Sequence, residues 1–305
     1  TAPEVSSVFG RIVARQCAEV LAQNNGGEIL EYGAGSGKLL VDILVCLAEL
    51  EALPAAYRIV EVSADLRERQ EQYLRQQLPE LAHLVTWLSA PPEAFRGVVV
   101  ANEVLDALPV ERFVRRDDGV QQLRVQAGHH GFEFTEMPAP GRLAAEVEKI
   151  ERDIGEHLPD GYVSEVCIAL PDWIAQVSGT LQEGVVLLFD YGVSRREYYG
   201  RERSDGWLRC HYRHHAHSDP LILTGIQDLT AWVDFTSVAV AAAAAGFDVA
   251  GFSTQARFLM AGGLDVEMRG FETLSLEGQL ELSRQIKTLT LPGEMGEHFK
   301  CMALR

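Results

Sequence analysis

Short apolar runs alternate with helical segments through the first hundred residues, and this alternation constrains the fold more than any other feature. Glu28 to Tyr32 reads as a strand that ends in a glycine-rich turn. Leu40, Ile43, Leu44, Leu47 and Leu50 then recur at helical spacing within residues 38–53. Tyr57 to Val62 predicts a second strand, and Ser63 or Asp65 can cap a helix running through Leu66, Tyr73, Leu74 and Leu78. Leu84 to Leu88 and Gly97 to Asn102 predict two more strands. The VVV run of the latter implies burial on both faces. Buried strands alternating with helices make an α/β fold, a mostly parallel sheet with helices on both faces.

The pattern then changes. Residues 112–137 carry DDG and GHHG turns between β-prone runs, which predicts an antiparallel meander. Residues 141–157 read as a polar helix. VVLLFD, Val185 to Asp190, returns to a buried strand, and 195–217 reads as a polar loop with six Arg and four His. The alanine run from Ala239 to Ala245 follows the capping candidates Asp234 and Thr236 and precedes Gly246, so it predicts a helix. A strand near 247–252, a helix near 276–288 and a strand at 299–304 complete the chain. The expected organisation is a core of 1–111, 184–194 and 234–305, an inserted meander-plus-helix lobe at 112–183, and a substrate-side cap loop at 195–233.

Composition narrows the function. The chain has 305 residues, 47 % hydrophobic and 23 % charged, which is globular. Its formal net charge of −17 disfavours sequence-independent nucleic-acid binding, which runs on Lys and Arg. No apolar run is long enough to suggest membrane insertion. Cys17, Cys46, Cys167, Cys210 and Cys301 are scattered without a CxxC, so neither a disulfide framework nor a zinc ribbon is expected. A reducing compartment follows, the cytoplasm for a bacterial protein. The chain opens at Thr1 without Met, and a preceding segment is expected.

The sharpest motif is EYGAGSGK, Glu31 to Lys38. Gly33, Gly35 and Gly37 between a strand and a helix permit close backbone approach to a ligand. A Walker A loop is rejected, because Tyr32 replaces its first Gly and Leu39 its Ser/Thr. A dinucleotide loop wants GxGxxG, whereas the spacing here is GxGxG. The remaining reading is the E/DxGxGxG loop of class I S-adenosylmethionine methyltransferases, where the acid Glu31 suits a cationic cofactor. A plain tight turn is the bland alternative. Glu61, at the end of the second strand, is placed to bond ribose hydroxyls in either nucleoside fold. The expected cofactor residues are Glu31, Gly33, Gly35, Gly37, Glu61, Ser63 and Asn102. NEVLDALPVE, Asn102 to Glu111, and Asp190 follow buried strands, where ligands meet an α/β sheet. His211, His214, His215 and His217 alternate with Arg209 and Arg213, which would repel a cation, so no metal is expected.

With these motifs in order, the chain resembles the MidA-type family, arginine methyltransferases associated with mitochondrial complex I assembly, and their bacterial relatives. The likeness runs through TAPEVSSVFG (1–10), EYGAGSGKL (31–39), YRIVEVS (57–63), ANEVLDALPVERF (101–113), YVSEV (162–166), LLFDYG (187–192), LRCHYRHHAHSDPL (208–221), QDLTAWVDFT (227–236) and LPGEMGEHFKCMAL (291–304). Trp232 departs from the His expected before VDFT. The resemblance implies a class I methyltransferase fold with a seven-stranded sheet, an inserted α+β lobe and a cap. It implies S-adenosylmethionine as methyl donor, an arginine of a protein as acceptor (a respiratory complex I subunit in eukaryotic relatives) and symmetric dimethylation. Glu103, Asp106, Glu165 and Asp190 are the carboxylates expected to orient a guanidinium. Homodimerisation is admitted, and the eukaryotic relatives belong in the mitochondrial matrix. Two alternatives stay open: methylation of a small molecule or another side chain, and a cofactor-binding assembly factor without turnover.

Overall fold

The computed structural model describes residues 1–129, 131–212 and 215–305. The chain separates into two compact units, one of Thr1–Val104, Ala175–Tyr191 and Ala242–Arg305, the other of Leu105–Ile174 and Gly192–Ala241.

The first unit is built on seven strands: β1 (Glu28–Tyr32), β2 (Tyr57–Val60), β3 (Val85–Leu88), β4 (Phe95–Asn102), β5 (Leu181–Val193), β6 (Val249–Thr254) and β7 (Phe299–Leu304). Their order across the sheet is β6-β7-β5-β4-β1-β2-β3. β1, β2, β3, β4 and β5 run parallel, while β7 pairs antiparallel with both β5 and β6. This is the mostly parallel seven-stranded α/β sheet expected from the alternation. Parallel direction has a functional consequence: β1, β2, β4 and β5 deliver their carboxyl ends to one edge.

Helices α1 (Ala2–Val5), α2 (Ser7–Gln23), α3 (Lys38–Glu49) and α4 (Ala64–Gln77) belong to the same unit. Burial follows the predicted spacing. Leu40, Ile43, Leu44 and Leu47 of α3 join Ile12 and Val13 of α2, Ile29 of β1 and Val98 and Val100 of β4 in one core. Phe189 of β5 meets Phe9 and Phe258 edge-on at 5.2 and 5.0 Å between centroids. Edge-to-face contacts of this kind add about 0.5–1.5 kcal/mol beyond burial.

The second unit has its own four-stranded antiparallel sheet, in the order 131–138, 119–128, 111–116 and 163–166. The expected meander is present, with Val163–Val166 added on the edge of Glu111–Arg116. The helix Gly141–Ile154 is amphipathic rather than uniformly polar: Leu143, Val147, Ile150 and Ile154 form one buried stripe. They pack with Phe113, Tyr162 and Trp207.

Residues 195–217 read in sequence as a polar loop, yet the structure places regular elements among the described ones. Arg195–Tyr198 is a helical turn, and Leu208–Tyr212 lies between His215–His217 and Asp228–Ala231 in a three-stranded sheet. Tyr198, Tyr199 and Trp207 are buried among the arginines, and widely separated aromatics leave no period to detect. The alanine run forms the helix Phe235–Ala244 as expected. Asp234 caps it by accepting from the N–H groups of Thr236 and Ser237 at 2.9 and 3.2 Å.

Candidate cofactor and acceptor site

The glycine loop leaves β1 at Tyr32 and enters α3 at Lys38. Gly33, Gly35 and Gly37 have φ of +63°, +53° and +84°, a region costly for other residues. The Gly33 N–H donates to the Val60 carbonyl of β2 at 3.1 Å, and the Gly37 N–H to the Ala34 carbonyl at 2.8 Å. A Cβ built on Gly35 would meet no heavy atom within 4 Å. Bare backbone facing open space, between a strand and a helix N-terminus, suits a ligand that must approach the main chain closely.

Glu61 follows β2 and is largely buried. Its Oε1 accepts from the Ser63 N–H at 2.9 Å and its Oε2 from Gln70 Nε2 at 3.1 Å. Ser63 also caps α4, its Oγ accepting from the Leu66 N–H at 3.3 Å. Gln70 is fully enclosed; its Nε2 donates further to the Gly35 carbonyl at 2.9 Å, and its Oε1 accepts from Trp87 Nε1 at 2.8 Å. Sequence reasoning missed Gln70, one of several glutamines in a polar helix.

Glu31 lies in the core, 1 % exposed, with Oε2 accepting from the Tyr57 hydroxyl at 2.8 Å. Burial pushes its carboxyl up to about 7, against the opposing pull of that hydroxyl. A different carboxylate stands at the loop's surface: Glu4 of α1 accepts from the Ser36 hydroxyl. The TAPE segment carried the family resemblance, but no chemistry was assigned to Glu4.

At the neighbouring strand ends, Asn102 closes β4 opposite Phe189 of β5. The Glu103 N–H extends the ladder to the Phe189 carbonyl at 2.8 Å, and Glu103 itself has φ of +53°. A left-handed glutamate is uncommon, and such conformations collect at functional sites. Asn102 Nδ2 bonds Glu103 Oε1 at 3.2 Å and the Thr1 hydroxyl at 3.3 Å. Asp190 is the next residue of β5, 1 % exposed, its Oδ1 accepting from the Tyr191 N–H at 3.0 Å. Glu103 and Asp190 thus follow directly paired residues of adjacent strands.

Asp106 and Glu165 belong to the second unit. Asp106 is buried, and its backbone carbonyl accepts from the Ala231 N–H at 3.1 Å. Glu165 has both oxygens engaged, Oε1 by Arg112 Nε at 3.2 Å and Oε2 by the Trp207 N–H at 2.8 Å; burial raises its carboxyl above the ordinary range. Trp232 stacks on Trp207 at 4.4 Å and 27°, so an aromatic contact accounts for the residue that departs from the family pattern. His211 and His215–His217 lie on the small sheet, while Arg213 and His214 fall outside the described residues. Among the described residues no three His, Cys, Asp or Glu are grouped to hold a metal ion.

Comparison with known proteins identifies the cofactor. Residues 12–253 match the family described as "Putative S-adenosyl-L-methionine-dependent methyltransferase". The chain belongs to this family. A COG1565 superfamily member from Burkholderia thailandensis, crystallised with S-adenosyl-homocysteine, is similar over all of this chain and 78 % of its own, at 38 % identity and a TM-score of 0.92. The mitochondrial protein arginine methyltransferase NDUFAF7 homolog of Drosophila melanogaster is 26 % identical, over 100 % of this chain and 74 % of that protein. The NDUFAF7 protein of Bos taurus is 27 % identical, over 100 % and 72 %. The chain is an S-adenosylmethionine-dependent methyltransferase, and its sheet is the class I methyltransferase sheet. No described helix is long and apolar enough to cross a membrane.

Proposed function

We propose that this methyltransferase acts on arginine side chains of a protein. One observation carries the reading: Glu103 follows β4 and Asp190, inside β5 rather than beyond its end, comes next after the residue paired with Asn102, while the strand on the other side of β4 bears the glycine loop. The arginine methyltransferases among its relatives support it.

Bound at the loop, S-adenosylmethionine supplies a methyl group already activated on a cationic sulfur. The protein's part is alignment and charge. Gly33, Gly35 and Gly37 admit the methionine end to the backbone. Glu61, oriented by Ser63 and Gln70, accepts from ribose hydroxyls. Glu31 supports the end of β1 from below through Tyr57, and Asn102 holds the Glu103 carboxylate. A guanidinium stays protonated with a pKa above about 12, so its charge must be drawn away from the reacting nitrogen. Glu103 and Asp190, on strands about 4.8 Å apart, would accept its non-reacting N–H groups. Transfer of the methyl group to a guanidinium releases one proton, and half-buried Glu103 is the carboxylate suited to receive it. Glu165 is assigned to holding the second unit together, because both its oxygens are taken by the protein's own groups, Arg112 and the Trp207 N–H.

Mass spectrometry of proteins from cells with and without this gene tests the reading. Loss of specific methylarginine peptides is expected. An unchanged methylarginine set, with loss of a methylated small molecule or another methylated side chain, would contradict it.

A further inference from the structure

We propose that Gln70 is a positioning residue for the nucleoside end of S-adenosylmethionine, fixing the Glu61 carboxylate and the Gly35 peptide in one arrangement. The proposal rests on the reading that Glu61 meets the ribose.

A glutamine amide has two N–H donors and one carbonyl acceptor. Gln70 uses both N–H groups and one lone pair of its carbonyl. Nε2 donates to Gly35 O at 2.9 Å and Glu61 Oε2 at 3.1 Å, and Oε1 accepts from Trp87 Nε1 at 2.8 Å. The indole can only donate, so Trp87 sets which way round the amide lies. Flipped, its oxygen would face two acceptors and its NH2 a donor. The side chain is 0 % exposed, so no water can take over these bonds.

The consequence falls on Glu61. One oxygen is held by the Ser63 N–H and the other by Gln70, and each keeps a lone pair for a hydroxyl group. A carboxylate held at both oxygens is aimed before the ligand arrives, which lowers the ordering cost of binding. The same amide grips the glycine loop, so α4 ties the ribose contact to the loop that receives the methionine end.

The test is calorimetric titration with S-adenosylhomocysteine and its 2′-deoxyadenosyl analogue, at pH 6 and 8.5, with thermal melts without ligand as a folding check. Gln70→Ala should weaken S-adenosylhomocysteine about tenfold, the loss of roughly one charged hydrogen bond, and shrink the preference over the deoxy analogue at least about threefold. Gln70→Glu keeps the shape but sets a carboxyl beside Glu61. Its affinity should approach wild type at pH 6 and fall at pH 8.5, because two close carboxylates resist joint ionisation, whereas wild type stays level. That comparison is made within one protein and survives a Gln70→Ala variant that fails to fold. Unchanged ligand preference in Gln70→Ala together with a level pH profile in Gln70→Glu would overturn the proposal. Glu61→Ala separates the two ideas. If it keeps the wild-type preference, the ribose reading fails; if it loses the preference while the Gln70 variants keep it, only the role of Gln70 fails.

Discussion

At the first unit's sheet edge Glu61 is buried like the carboxylates of the second unit and Glu103 is half-buried, but both are occupied differently from those of the second unit. Glu165 of the second unit is closed by Arg112 and the Trp207 N–H. Asp234 is closed by Arg195, Ser237 and two backbone N–H groups, and Arg195, 3 % exposed, also pairs with Asp153. Glu151 takes Arg115, His157 and the Leu158 N–H. On the sheet edge, Glu61 is held by two donors that aim it, with no cation bonded to it among the described residues, and Glu103 by one amide on a strained backbone. Burial alone therefore does not mark a functional acid. The partner does: a paired arginine consumes the carboxylate, while an amide orients it and leaves its charge for a ligand.

The sharpest way to break this comparison is Asp234→Ala. Removing Asp234 takes one of two carboxylate partners from buried Arg195 and uncaps the helix Phe235–Ala244, so stability should fall by about 3–5 kcal/mol. Denaturant unfolding measures it. S-adenosylhomocysteine affinity of the folded fraction should stay near wild type, since the groups that close Asp234 are the protein's own. A minor loss of stability with a large loss of affinity would erase the distinction.

Gly35→Val acts from the other side. The residue has φ of +53° and its added side chain enters the open space where the cofactor is proposed to lie. S-adenosylhomocysteine binding should weaken at least about a hundredfold by calorimetry, with a strain cost to stability of only about 1–2 kcal/mol. Tight binding by this variant would move the cofactor away from the loop.

Glu31→Gln sharpens the comparison through pH. The folded carboxyl, raised to about 7, exceeds its unfolded value near 4.3, so the native state binds the extra proton between them. Wild-type stability should fall as pH rises from about 4 to 7 and then level off. The neutral variant lacks this slope. It should match wild type near pH 4 and be more stable by about 2–4 kcal/mol at pH 8, read from melting curves. Parallel pH profiles for the two proteins would show that Glu31 is not so perturbed.

Legibility followed the range of the interactions. β1 to α3 and β4 were readable because burial imposes a period on neighbours in sequence, and the loop because its glycines lie within five residues. Glu61 was readable as an acid at a strand end. Gln70 was not, since its partners Gly35 and Trp87 lie 35 and 17 residues away and its helix offers several similar glutamines. Arg195 looked like one more surface charge in an arginine-rich stretch, and only the fold brings Asp153 and Asp234 to it. Glu31 stood in the motif for a cofactor acid, but the alternation that makes β1 a buried strand also turns its carboxyl into the core beside Tyr57.

The most direct measurement is transfer of labelled methyl from S-adenosylmethionine to protein in an extract of cells lacking this gene, with purified wild type and Glu103→Gln. The account predicts label in methylated arginine on hydrolysis with wild type. With Glu103→Gln it predicts transfer lowered at least about tenfold, the weight of one charged hydrogen bond, at unchanged cofactor affinity. Label in any other product, or equal transfer by both proteins, would contradict it.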